Sequence, residues 1–333
     1  MPSTYKDIQR LTGFSLSTIS RYFNGENVKA PTKDAIEKAA KQLDFKINDF
    51  ARGLRSKKAM TVGLLIPSLQ SMFSATIMHL VGKLLRQQGY GCFVCDSNSD
   101  LKVEKEAVDF FIGKSVDGII SIPFDIDPQN YQSAKKRGIP TVFINRNLDS
   151  FDADAVIIDN FEAGRIASEH LLTKGHKKTA IIASISRFLP LPERLNGYLS
   201  SFPKSDNAFS TEIIRKNNTI YEGNLAIKEL FASPNDISAI FCTNYELTLG
   251  AFSALRELGI KFPEDISFIG FDKLQMAEVI RPALTIVEQP MEEIAIKAVE
   301  LLLERIKSGE SAPPCILELS PKLTLGNSVA DLS

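Results

Sequence analysis

Short apolar runs punctuate the chain from residue 62 onward: VGLLIP (62–67), GCFVCD (91–96), GIISIP (118–123), TVFIN (141–145), AVIIDN (155–160), TAIIAS (179–184), AIFCTN (239–244) and SFIGFD (267–272). Between most of them lie stretches of helical period, 75–88 and 162–172 among them. Strands buried on both faces of a parallel sheet read as continuous apolar runs. Their alternation with amphipathic helices is the βαβ pattern. The pattern runs through twice, which predicts an α/β body of two doubly wound parallel-sheet subdomains. Ligands of such sheets bind beyond the carboxyl ends of the strands. Asp96, Asn145, Asn244 and Asp272, which end four of the runs, are therefore the first places to look for a site.

Residues 1–47 follow a different rule: helical periods and no strand. Thr4-x-x-Asp7 reads as a capping box that opens a helix through Ile8 and Leu11. Gly13 makes a turn, and Ser15 is a good N-cap for a second helix with Ile19 and Phe23 facing inward. Thr32 is expected to cap a third helix with Ile36, Ala39, Ala40 and Leu43 on one face. Helix, short turn, helix is the helix-turn-helix pattern. With Ile19 and Phe23 inward, Leu16, Ser17 and Arg21 project outward. The start of such a helix is what reaches base edges, and an arginine there can clasp guanine O6 and N7. Ser15, Thr18 and Asn24 have the size and donors for phosphate contacts. The competing reading is a solvated face of a small helical domain.

Charge separates these readings. Overall the chain carries −1, but residues 1–58 hold 12 Lys and Arg against 6 Asp and Glu, and the rest 27 against 34. A basic head on an acidic body suggests a head that meets a polyanion. The intervening segment 48–60, NDFARGLRSKKAM, adds Arg52, Arg55, Lys57 and Lys58. By itself it is too short and too interrupted for a stable helix. Four cysteines, at 92, 95, 242 and 315, read as buried apolar thiols. The C-x-x-C pair sits in a strand, where residues three apart point to opposite faces. Free thiols, an opening MPSTYKDIQR without an apolar signal core, and no membrane-length apolar run lead to the expectation of a cytoplasmic protein.

YKDIQRLTGFSLSTISRYFNG, then INDFARGLRSKK and TVGLLIP, followed by VDGIIS, RIASEHLLTKGHKKTAII, ERLNGY, FIGFD and RPALTIVEQP, resemble the lactose repressor/galactose repressor family of bacterial transcription regulators over essentially the whole chain. The resemblance implies a helix-turn-helix head (1–47), a hinge segment (48–58) and a periplasmic-binding-protein-like body (59–333). The body would comprise an amino-terminal subdomain, about 59–158 plus 287–318, and a carboxy-terminal one, about 159–286 plus 319–333. It implies a homodimer on near-palindromic double-stranded operator DNA, a small-molecule effector, no membrane partner and no cofactor. DNA-contact candidates are Thr4, Tyr5, Ser15, Leu16, Ser17, Thr18, Arg21, Asn24, Thr32, Asn48 and Leu54. Leu54 would lever apart a base step in the minor groove. Ile47 stands where the family usually has proline.

For the effector, the resemblance singles out Phe73, Asn145, Arg194, Asn244 and Asp272. Relatives commonly have PD-x-x-NPFF after the first strand, where this chain has PSLQSMFS, and Asp where it has Tyr245. A cleft less acidic than that of a typical sugar binder is therefore expected, with a sugar or sugar derivative still the leading effector. Two alternatives stay open: control by a protein corepressor, and a solute-binding protein without a transcription role. Enzyme motifs such as G-x-x-x-x-G-K-[ST] and G-x-S-x-G are absent, and His79, His170 and His176 lack metal-ligand spacing, so neither catalysis nor a metal is expected.

Overall fold

The computed structural model describes residues 3–23, 27–45, 59–125, 127–148, 151–184, 191–202, 208–272, 280–309 and 312–333. The chain forms two compact units, Met1–Met60 and Thr61–Ser333.

The first unit contains α1 (Tyr5–Thr12), α2 (Leu16–Phe23) and α3 (Ala30–Gln42). At the start of α1 the Asp7 carboxylate accepts from the Thr4 N–H at 2.8 Å and the Thr4 hydroxyl at 2.7 Å. These bonds hold its pKa below the usual carboxylate value. Gly13 ends the helix at φ 73°, its N–H donating to the Gln9 carbonyl, in the left-handed region where glycine is unstrained. Ser15 caps α2 by accepting from the Thr18 N–H at 3.2 Å. Thr32 does not cap α3, which begins two residues earlier. Pro31 has no N–H and a fixed φ suited to a first turn; Thr32 lies inside that turn, its N–H donating to the Lys29 carbonyl at 2.9 Å. Ile8, Ile19, Ile36 and Ala39 form the core, ringed by Tyr5, Phe14, Phe23 and Phe45.

The second unit is built on two six-stranded sheets. The first contains β1 (Thr61–Ile66), β2 (Gly91–Asp96), β3 (Gly118–Ser121), β4 (Thr141–Ile144), β5 (Asp154–Ile158) and β11 (Ile316–Leu319), in the order β11-β5-β4-β3-β1-β2. The second contains β6 (Lys178–Ser184), β7 (Phe209–Arg215), β8 (Ala239–Cys242), β9 (Ser267–Phe271), β10 (Thr285–Glu288) and β12 (Lys322–Thr324), in the order β12-β10-β9-β8-β6-β7. All pairings are parallel except β10 with β12. The helices are α4 (Met72–Gln87), α5 (Leu101–Gly113), α6 (Gln132–Lys136), α7 (Asn160–Thr173), α8 (Leu191–Ser200), α9 (Ile220–Leu230), α10 (Tyr245–Leu258) and α11 (Met291–Ser308).

The chain passes between the halves after β5, after β10 and after β11. Because β10 pairs with β9 in the second sheet, Val287 and Glu288 belong to the carboxy-terminal half, and the passage falls just beyond the expected residue 287. Leu319 pairs with Ile158 in the first sheet, so the last passage also comes slightly later than expected. Central strands are buried along their length, whereas the edge strands β2, β7 and β11 have exposed positions. Cys92 packs on one side of the first sheet and Cys95 on the other. Of the four thiols only Cys242 is fully buried; edge positions leave the other three half-covered.

Candidate functional site

Two surfaces gather the candidate residues, one on each unit. On the head, Ser15, Leu16, Ser17 and Arg21 are exposed and Thr18 is half-buried, while Ile19 is wholly buried. Leu16 stays 40 % exposed, so an apolar side chain sits at the tip of α2 with no core role. The hydroxyls of Ser15, Ser17 and Thr18 form one chain, at 2.7 and 2.9 Å from Ser15. Thr4 is engaged by Asp7, and the Tyr5 ring stacks on Phe23 with centroids 5.4 Å apart. Asn24, Ile47, Asn48, Leu54 and the basic residues at 52, 55, 57 and 58 lie outside the described residues.

In the body, a cavity of about 550 Å³ opens between the halves at the carboxyl ends of the strands. Phe73, Asn145, Arg194, Asn244 and Asp272 all line it. Asn145 and Asp272 hold equivalent places, at the ends of β4 and β9, with φ of 71° and 63°. Asn and Asp tolerate this left-handed turn better than most residues. Each N–H still joins the sheet, at 2.9 Å to Val156 and 2.8 Å to Val287, so the turn begins directly at the cavity-facing residue. Asp96 plays another part: its carboxylate accepts from the N–H groups of Leu69 and Asn98, at 2.9 and 2.7 Å, and fixes the loop after β1.

Arg194 is 5 % exposed. Its guanidinium donates to the Thr243 carbonyl and, at 2.7 Å, to Asn160 Oδ1, and it lies 3.6 Å from the centroid of Phe271. Burial lowers its pKa to about 10, opposed by the charge of Asp272. Close packing sets its place. A β-carbon on Gly164 of α7 would overlap the Arg194 carbonyl, and one on Gly197 of α8 would overlap the Phe161 carbonyl. Asp272 accepts from the Gln289 amide at 3.0 and 3.1 Å, yet burial still pushes its pKa up to about 6.

Among the described residues, several buried polar atoms of residues lining this cavity have no partner: Ser74 Oγ, Asn145 Oδ1, Arg194 Nε, Asn244 Nδ2 and Gln289 Oε1. Native proteins rarely leave such groups unpaired. Their clustering in one cavity, with donors and acceptors mixed, fits a polar ligand that completes them. Arg146 and Gln289, absent from the expected set, also line the cavity. Arg146 directly follows a strand-ending candidate, a signal the apolar pattern carried. Gln289 follows β10, which that pattern does not mark.

A family model described as periplasmic binding proteins and the sugar binding domain of the LacI family matches residues 59–317. The chain belongs to the LacI family. Across nearly its whole length this LacI-family chain is similar to HTH-type transcriptional repressors named PurR: 29% identical to that of Vibrio atlanticus over 99% of this chain and 100% of the relative, and 30% identical to that of Actinobacillus pleuropneumoniae over 99% of each. A lac repressor dimer bound to operator and the anti-inducer ONPF has the same fold, with a TM-score of 0.85 at 22% identity, covering 99% of this chain and 100% of that one. A LacI family transcriptional regulator from Enterococcus faecium with bound ribose matches with a TM-score of 0.71 at 28% identity, over 82% of this chain and 100% of that one.

The cleft of this LacI-family chain carries charges that its first loop does not supply, Arg146 and Arg194 against Asp272 and Glu246. Ser68 and Tyr245 do line it as uncharged groups, but Glu246 adds a carboxylate beside Asp272. Burial, aided by the Asp272 charge, pushes the Glu246 pKa up to about 7.

Proposed function

We propose that the chain is a sequence-specific transcription repressor that binds a near-palindromic operator as a cytoplasmic homodimer and is controlled by a small polar effector in the cleft. The observation that carries this reading is one chain joining a helix-turn-helix head with a polar exposed α2 face to a cavity lined by unpartnered buried polar groups. The repressor names of its relatives and the ribose held by a similar regulator support it. Arg21 and the start of α2 read bases, and Ser15 and Thr18 hold phosphates. Thr4, Tyr5 and Thr32 add further DNA contacts, and Asn48 and Leu54 form the hinge on the family resemblance. Phe73, Asn145, Arg194, Asn244 and Asp272 grip a sugar or sugar derivative, whose hydroxyls both donate and accept.

The test has two steps. Operator sequences are selected from random DNA, then titrated by fluorescence anisotropy with a panel of sugars and sugar derivatives. Enrichment of a two-fold-related sequence and a sugar-dependent shift in its affinity are expected. Failure to enrich any sequence overturns the repressor reading, and operator binding that no panel member alters overturns the sugar assignment.

A further inference from the structure

Ser15, Ser17 and Thr18 stand together at the start of α2, and Ser15 Oγ is the centre of their contacts. It accepts from the Thr18 N–H at 3.2 Å, and it lies 2.7 Å from Ser17 Oγ and 2.9 Å from Thr18 Oγ1. A hydroxyl has one proton to donate and two lone pairs that accept. The N–H takes one lone pair. One proton and one lone pair remain for two neighbouring hydroxyls, so Ser15 donates to one of them and accepts from the other. Of the two protons on Ser17 and Thr18, one is therefore spent on Ser15 and the other points outward. Ser17 and Thr18 do not both donate to an outside partner while these bonds hold.

DNA resolves this choice. A phosphate oxygen accepts hydrogen bonds and has no proton to give, so a hydroxyl that meets it must donate. Thr18 is half-buried, whereas Ser17 is exposed at the helix start, the place from which base edges are reached. With the Thr18 proton on a phosphate, Ser15 gives its own proton to Thr18 Oγ1 and takes the proton of Ser17. Ser17 Oγ then has only lone pairs to offer outward. In the major groove an acceptor finds its partner in the amino group of adenine N6 or cytosine N4. The same place on guanine or thymine carries a keto oxygen, which repels it.

We propose that the three hydroxyls form a relay in which the phosphate contact of Thr18 fixes Ser17 as an acceptor, so that Ser17 selects an amino base, adenine or cytosine, at one position per half-site. This deepens, and rests on, the reading of α2 as the base-reading helix of a repressor. A serine alone discriminates poorly, because its hydroxyl rotates to donate or to accept. The relay removes that freedom. Arg21, a donor only, suits guanine, and Ser17 adds the opposite polarity one turn earlier. Ser15, with all three of its hydrogen-bonding sites in use, serves the phosphate through Thr18.

The test uses the full chain and operators enriched from random DNA. Ser17→Ala should flatten base preference at one position per half-site, which locates the base pair concerned. Two changes are then made at that pair. Deleting the amino group, with purine for adenine or 2-pyrimidinone for cytosine, should weaken wild-type binding about three- to tenfold. The transition to guanine or thymine, which puts a keto oxygen in the same place, should weaken it at least as much. Ser15→Gly removes the relay and keeps a serviceable helix cap. This variant should still lose affinity on amino deletion, yet bind the transition operator within about twofold of the original, because its Ser17 is free to donate. Thr18→Val should show the same tolerance on weaker overall binding. A Ser15→Gly protein that rejects the transition as wild type does, or that loses both responses together as a loosened helix would, overturns the relay. So does a wild type indifferent to amino deletion, or a Ser17→Ala protein that flattens no position. Failure of the wild type to enrich any sequence overturns the repressor reading and the relay with it, whereas an enriched operator with the wrong polarity defeats the relay alone.

Discussion

Arg194 lines the cleft, and its proposed role there makes no demand on the head. It is buried and stacked on Phe271, and it spends two donors on neutral oxygens while Nε stays unpaired. Arg194→Ala should leave effector-free operator affinity within about twofold and abolish the effector response, because the missing contacts are those that distinguish liganded from unliganded clefts. Anisotropy titration with and without effector checks this. On the head, Arg21→Ala should cost about 1–3 kcal/mol and relax base preference at one position per half-site, whereas Thr18→Ala should weaken binding alike whichever base faces Arg21. Binding to a panel of single-base operator variants separates the two. Asp272 carries the pH signature. Its folded-state pKa of about 6 lies above the ordinary carboxylate value of 3.8. The native state therefore holds the proton more tightly than the unfolded chain. Relative to Asp272→Asn, wild type should be at its most stable below about pH 4 and lose about 1–3 kcal/mol as pH rises through 6. Urea unfolding of both proteins at pH 5 and pH 8 reads this difference, and a wild type that improves with pH would reverse the assignment.

At the level of elements, helix pairs aim the site. α7 and α8 approach so closely that Gly164 and Gly197 each face a backbone carbonyl of the other helix. The α9–α10 pair repeats the device, with Gly250 against the Ile220 carbonyl and Gly223 against that of Leu247. Gly164→Ala should force α8 outward, destabilise the body by about 1–3 kcal/mol and weaken effector binding, since Arg194 moves with its helix. Thermal unfolding and effector titration check both effects. The strands show which elements are legible in sequence. Central strands β1, β3, β4, β8 and β9 are buried on both faces and read as apolar runs. The edge strand β7 has half-exposed and exposed positions throughout, and its FSTEIIR carries no such run. β12 spans only three residues, too short for a pattern, and β10, although buried throughout, ends in charged Glu288, which cuts its apolar run to TIV.

The molecule as a whole divides at Met60 and Thr61, close to where the basic segment gives way to the first apolar strand. A fragment of residues 59–333 should stay folded and dimeric yet lose operator binding, measurable by sedimentation and gel shift. A fragment that still binds the operator specifically would refute the division of labour. Three chain passages join the halves of the body, so a ligand between them can bias their spacing. A typical coupling of about 1–3 kcal/mol would alter operator affinity roughly 5- to 150-fold.

The sequence by itself determined the division into an all-helical head and an α/β body, the exposed polar face of α2, and the strand-end residues Asn145, Asn244 and Asp272. Each follows from local periodicity or from the rule that parallel sheets bind ligands at their carboxyl ends. The capping box at Thr4 and the cap at Ser15 were equally legible, because capping acts over three residues. Tertiary structure decided what depends on distant chain segments meeting. It set Asp96 to holding a loop, brought Gln289 from a short strand to Asp272, and joined Arg194 to the carbonyl of Thr243. It also brought Glu246, in the first turn of α10, into the cavity that Asp272 lines. No window of sequence contains both partners of these contacts, since the sheets' strand order, not chain proximity, brings them together.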